Sequence, residues 1–115
     1  MKQLPIAIFL IASVISCKSP ERTQKKNLDD IANQYVKLTL EIGQYDKDFV
    51  DAYYGPKQWK PKDNTEASLP YQELKWQTTS LINQLNAIDD MGFSKLQLLR
   101  YQFFNKQLQA VRTKL

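Results

Sequence analysis

The pattern of apolar and polar positions divides the chain into three stretches. It opens on an unbroken apolar run, Leu4 to Ile15 (LPIAIFLIASVI), behind the short basic start Met1-Lys2-Gln3. A polar stretch follows, Lys18 to Lys26 (KSPERTQKK), with Pro20 and nothing apolar to bury. Such a composition predicts a flexible tether. From Asn27 onward apolar residues return at spacings of three and four, the period of helices with one buried stripe. Asn27 is placed to cap the first helix, with Asp29 and Asp30 in its first turn and Leu28, Ile31, Tyr35, Leu38 and Ile42 on its stripe. Gly43 is its expected C′ residue. A second, shorter helix is expected from Asp46, burying Phe49, Val50 and Tyr53 and stopped by Gly55-Pro56. Pro56, Pro61, Asp63-Asn64 and Ser68 then break any period, so 57–69 reads as a loop.

A third helix is predicted to start at Ser68 or Leu69, with Pro70 near its first position. Leu74, Leu81, Leu85 and Ile88 lie on its buried side, with Tyr71 and Thr78 in register, and Asp89-Asp90-Met91-Gly92 makes the turn. The fourth helix has the clearest start. Ser94-Lys95-Leu96-Gln97 is an S-x-x-Q capping box, and Phe93 can staple onto Leu98. Its stripe is Tyr101, Phe104, Leu108, Val111 and Leu115, apolar to the last residue, an expectation that the fold continues in a longer relative. The prediction is an all-α fold over 27–115, a small antiparallel bundle of about four helices packed up and down.

The opening run decides location. It is 12 residues long, inside the range of a signal-peptide core and short of the roughly 20 a bilayer span needs. It ends in Val14-Ile15-Ser16-Cys17, which resembles the bacterial lipobox. That resemblance implies cleavage before Cys17, a diacylglycerol on its sulfur and acylation, for example by palmitate, of the new amine. Each buried methylene contributes about 0.8 kcal/mol, so one chain anchors marginally and two or three hold firmly. The alternatives are an ordinary secretory peptide with a coincidental cysteine, or a short core helix. The expected organisation is a signal peptide over 1–16, lipidated Cys17 with its tether over 17–26, and the helical domain beyond. The expected location is the cell envelope, anchored to a membrane; Lys18 in place of aspartate after the cysteine favours the outer membrane by resemblance to the common sorting rule.

Composition narrows the chemistry. The chain has 115 residues, enough for one small domain. Its formal net charge is +4, but the lysines are scattered rather than banded, which argues against nucleic acid as a partner. Histidine is absent, which removes the commonest general base and the commonest zinc ligand together. Cys17 is the only cysteine, so a lipidated chain keeps no thiol for a disulfide, a nucleophile or a metal. No G-x-S-x-G elbow occurs, and three glycines build no phosphate loop. Asp46, Asp48 and Asp51 miss the calcium-loop spacing, since Val50 and Asp51 stand where a ligand and the glycine belong. No cofactor, metal site or catalytic residue is expected, and the chain by itself is not expected to be an enzyme.

One stretch carries a further resemblance. Tyr35-Val36-Lys37-Leu38, Tyr45-Asp46, Val50-Asp51-Ala52-Tyr53-Tyr54-Gly55-Pro56 and Trp59 resemble the N-terminal region of a family of largely uncharacterised bacterial zinc-peptidase-like proteins. The later Gln107-Leu108-Gln109-Ala110-Val111-Arg112 is similar to that family's next helix. The resemblance implies a largely helical fold and a His-Glu-x-x-x-His metal motif far downstream, to which no position here corresponds. It also makes Asp51, Tyr53, Tyr54 and Trp59 candidates for lining a substrate cleft. The plainer roles are helix packing for Asp51, Tyr53 and Tyr54, and a lid over the core for Trp59.

Two functions fit these readings. One is a lipid-anchored, non-catalytic N-terminal portion of a larger peptidase-like protein. The other is a self-contained helical lipoprotein that binds a protein or ligand in the envelope. In both, the membrane is a partner through the lipid, and a protein partner or a second copy could use any helix face left uncovered.

Overall fold

The computed structural model describes residues 20–61 and 69–115. The apolar leader and Cys17 lie outside them. The described residues form three α-helices and two single 3-10 turns, with no strand. Helix α1 spans Pro20–Ile42, α2 Tyr71–Asn86 and α3 Lys95–Lys114.

The helix expected to start at Asn27 starts at Pro20 instead, so Asn27 lies inside it and the tether expected over 17–26 is helical from Pro20. Proline preset at a first helical position, followed by Glu, Arg, Gln and Lys, favours this extension. Once Leu28 to Ile42 is held by packing, each added residue costs only propagation, not nucleation.

The short second helix does not form. Lys47–Phe49 is one 3-10 turn, so the bundle has three helices rather than about four. Asp46 does act as its cap, accepting a hydrogen bond from the Asp48 amide at 3.1 Å. Val50 then turns extended, at φ −129° and ψ 103°, and ends the turn. Phe49, Val50 and Tyr53 are half-buried, too little apolar cover to offset helix nucleation. A second 3-10 turn, Lys57–Trp59, occupies the stretch read as a loop.

Helix α1 ends where Gly43 predicts, without a left-handed residue. The Gly43 amide donates to Thr39 O at 3.0 Å, and the Gln44 and Tyr45 amides close tighter turns onto Glu41 and Ile42. The left-handed glycine is Gly92, at φ +89°, in the turn before α3. There Ser94 and Gln97 complete the capping box in both directions. The ring of Phe93 stands edge-on to Tyr101, with centroids 6.2 Å apart.

The helices alternate up, down, up. Asp29 meets Arg100 and Tyr35 meets Phe104, so α1 and α3 run parallel. Tyr71 at the start of α2 reaches Leu115 just past α3, so α2 runs against both. The core joins Leu28, Ile31, Leu38 and Ile42 of α1, Leu74, Leu81, Ile82 and Leu85 of α2, and Phe104, Leu108 and Val111 of α3. The predicted stripes are largely the buried ones, with Ile82 and Leu40 added and Tyr35, Tyr101 and Leu115 at half-buried margins. Tyr71, expected in register with the buried side, is instead exposed at the first position of α2, where its hydroxyl reaches Leu115 O. Thr78, buried among them, donates its hydroxyl to Leu74 O at 2.8 Å, so no polar group is left unmet there.

Candidate functional site

The residues singled out in the sequence sit on the segment between α1 and α2. Asp51 and Tyr53 come together in a shallow groove of about 250 Å³, with Leu40 and Gly43 of α1's end, Lys60 and Pro61. Tyr53 is held by its own turn: its hydroxyl donates to Pro56 O at 3.1 Å, and Lys60 Nζ lies 5.8 Å from its ring centre. Tyr54 is not in the groove; it is 95 % exposed. Trp59 is half-buried away from both, with Lys37 Nζ of α1 at 5.1 Å from its ring centre. The four candidates therefore form one pair and two separate residues. Trp59 lies against Lys37 on the flank of α1 and is not among the residues packed on the core.

A larger groove, about 660 Å³, opens beside them between the end of α1, the 46–50 turn and the second half of α3. Phe49, Val50, Ala110 and Val111 give it apolar surface, and Asp46, Asp48, Thr39, Gln107 and Lys114 give it polar groups. Tyr35 donates to Gln107 Oε1 at 3.3 Å, and burial raises its hydroxyl pKa. Lys114 Nζ lies 2.7 Å from Asp46 Oδ2. The hydrogen bond from Lys114, then that from the Asp48 amide, lowers the Asp46 pKa, and Asp46 raises that of Lys114. Both groups reach solvent, so this pair positions the turn more than it stabilises the fold. Lys114 was not legible as a site residue, because only the packing of α3 against α1 brings it to Asp46.

Among the described residues no group of three or more His, Cys, Asp or Glu side chains is placed to hold a metal ion. No described helix is long and apolar enough to cross a membrane.

A third feature lies on the outside. Leu96, Leu99 and Phe103 stand on the face of α3 turned away from the core, all more than half exposed, and Met91 protrudes from the turn before it. Reading α3 for its buried stripe passed over this second one. Its signal was there: 96, 99 and 103 are also spaced by three and four. Trp76 on α2 is likewise exposed, beside Gln34, Lys37, Gln77 and Gln84.

Comparison with protein-family models, with curated proteins and with solved structures finds no match to this chain.

Proposed function

We propose that this chain is a lipid-anchored, non-catalytic helical module of the cell envelope. The observation that carries the reading is Cys17, the sole cysteine, closing an apolar leader three residues ahead of Pro20, where α1 begins. A lipid at that sulfur is joined almost directly to a helix that packs into the bundle from Leu28 on. The absence of histidine from the whole sequence supports the non-catalytic half of the reading. The test is to recover the protein from cell membranes and weigh its N-terminal peptide. The reading expects a peptide starting at Cys17 and carrying acyl chains, and Cys17→Ser should leave the leader uncleaved. A mature N-terminus elsewhere, or an unmodified thiol, overturns the anchor.

The module is further proposed to be the N-terminal portion of a larger peptidase-like protein. The support for it is the Asp51–Pro56 block that carries the resemblance, within which Tyr54 projects into solvent. An aromatic ring held out in that way suits a contact with a further unit. This reading expects coding sequence for the rest of such a protein after the Leu115 codon, with a His-Glu-x-x-x-His segment far downstream in it. Unrelated sequence there removes it and leaves the binding module.

A further inference from the structure

Helix α3 is apolar on two faces. One faces the core through Phe104, Leu108 and Val111. The other carries Leu96, Leu99 and Phe103, which are 68 %, 53 % and 52 % exposed, with Met91 at 83 % just before the helix. The outer stripe is held in shape by the inner one, since the Phe103 ring stands edge-on to Phe104 with centroids 5.5 Å apart.

The charge within α3 has one sign, while Asp89 and Asp90 stand exposed in the turn beside Met91. Helix α3 contains Lys95, Arg100, Lys106, Arg112 and Lys114 and no acidic residue. Arg100 and Lys114 are engaged by Asp29 and Asp46, while Lys95 and Lys106 make no ion pair among the described residues. At 100° per residue, Lys95 and Lys106 fall along one edge of the Leu96–Leu99–Phe103 strip. The stretch from Lys18 to Asn27 adds Lys18, Arg22, Lys25 and Lys26 against Glu21 alone.

Position supplies the third observation. The Asp29–Arg100 ion pair sets the first turns of α3 level with the N-terminal part of α1. Pro20 lies nine residues before Asp29, roughly 13 Å along the helix axis. Cys17 is three residues further, at most about 10 Å of chain. The exposed apolar residues of α3 are therefore at the end of the bundle where the anchor is attached.

We propose that the outer face of α3, with Leu96, Leu99 and Phe103 edged by Lys95 and Lys106, docks onto a bilayer surface containing anionic phospholipid. This rests on the reading of Cys17 as the lipid anchor. Apolar side chains at a helix surface enter the headgroup–acyl boundary, and lysines beside them meet anionic headgroups. Three side chains expose only a few hundred Å², well short of the roughly 800 Å² each partner of a stable protein complex buries. The anchor compensates, because it holds the face at high effective concentration against the membrane. A second copy fits this face poorly. Pairing α3 with α3 brings Lys95 and Lys106 of each copy together with no acidic residue within either helix, leaving only Asp89 and Asp90 of the turn before it to meet them.

The test uses the full-length precursor expressed in bacteria, its membrane-processed form being reconstituted into vesicles. Leu99→Cys and, separately, Phe103→Cys are labelled with a bimane fluorophore; Tyr54→Cys serves as the control. The vesicles contain brominated acyl chains, with or without phosphatidylglycerol in phosphatidylcholine. Docking predicts quenching at 99 and 103, several-fold stronger with phosphatidylglycerol, and none at 54. Lys95→Gln and Lys106→Gln should each lower the docked-to-undocked ratio about five-fold in the anionic vesicles. Unquenched labels at both 99 and 103 overturn the proposal, as does quenching indifferent to phosphatidylglycerol. A label shielded only as protein concentration rises assigns the face to a second copy and overturns it too. Intact mass of the same sample reports Cys17 separately. Acylated protein with unquenched labels removes the docking alone, whereas unacylated protein removes the anchor and leaves the quenching to judge the face.

Discussion

At the end of the bundle nearer the start of α1, α2 and α3 are joined by the eight residues 87–94; at the far end, α1 and α2 are joined by the 28 residues 43–70. The short connection is closed by local chemistry. Asp89 accepts from the Met91 amide at 2.9 Å, Gly92 takes the left-handed turn, and Ser94 and Gln97 cap each other. The long one is closed by partners distant in sequence. Tyr45 donates to Leu69 O at 2.7 Å, Tyr71 donates to Leu115 O at 2.8 Å, and Lys114 pairs with Asp46. The rings of Tyr45 and Tyr71 meet edge-on at 5.8 Å. The difference teaches how each end can be used. The far end joins all three helices through polar groups and aromatic rings. The near end needs few side chains to make its turn, which leaves Met91, Leu96, Leu99 and Phe103 free to face outward.

The largest effect should come from breaking what both ends share. Leu28→Ala, Leu85→Ala and Leu108→Ala each empty a site that is at most 1 % exposed, and each should cost about 2–5 kcal/mol of stability. Thermal unfolding should then show both ends lost together; a loss confined to one end would mean that they do not share a core.

Substitutions at the 89–97 turn should cost less. Ser94→Ala should cost about 1 kcal/mol by leaving α3's first amides unmet. Gly92→Ala should cost a similar amount, about 1 kcal/mol, purely through backbone strain, because an added Cβ meets nothing within 4 Å. Denaturant titration of the two variants checks both, and Gly92→Asn should recover part of the loss, since asparagine tolerates the left-handed region better than alanine.

The far end should show the pH dependence. The folded-state pKa of Asp46 lies below its ordinary 3.8, so its contribution is present above that value and is lost as pH falls through the lowered one. For Lys114 the folded pKa is raised above its ordinary 10.5, so its contribution is complete below that value and lost as pH rises through the raised one. Asp46→Asn should flatten the acid limb of a stability profile by a small amount. Amide exchange should place the loosening in residues 46–50 rather than at the 89–97 turn.

The smallest effect on stability is expected at Leu99 on the outer face of α3. Leu99→Gln should change it by no more than about 0.5 kcal/mol, because the lost side chain is half exposed, and Phe103→Gln by about 1 kcal/mol, because it also loses its edge-on contact with Phe104. A change as large as a core substitution would mean that this face is packed within the bundle and is not available to a membrane.

The helices that pack were largely legible in the sequence, because three- and four-residue spacing reports a buried stripe directly. Leu28 to Ile42, Leu74 to Leu85 and Phe104 to Val111 are buried as their period predicts. The Ser94 box was legible for a similar reason, its partners being three residues apart. The segment 46–55 misled because a capping aspartate and a few apolar residues look like the start of a helix. Whether such a start propagates depends on burial that only neighbouring elements supply.

For this protein, sequence by itself determined what depends on near neighbours along the chain: the helical periods and the capping box. Tertiary structure alone decided what depends on which helix faces which. It placed Asp29 against Arg100 and Asp46 against Lys114, and parted Asp51 and Tyr53 from Tyr54 and Trp59. It also chose which of α3's two apolar faces became core. A helix with two apolar stripes, centred about 110° apart at 100° per residue, can bury either one by its own period, and only packing against α1 and α2 selects between them.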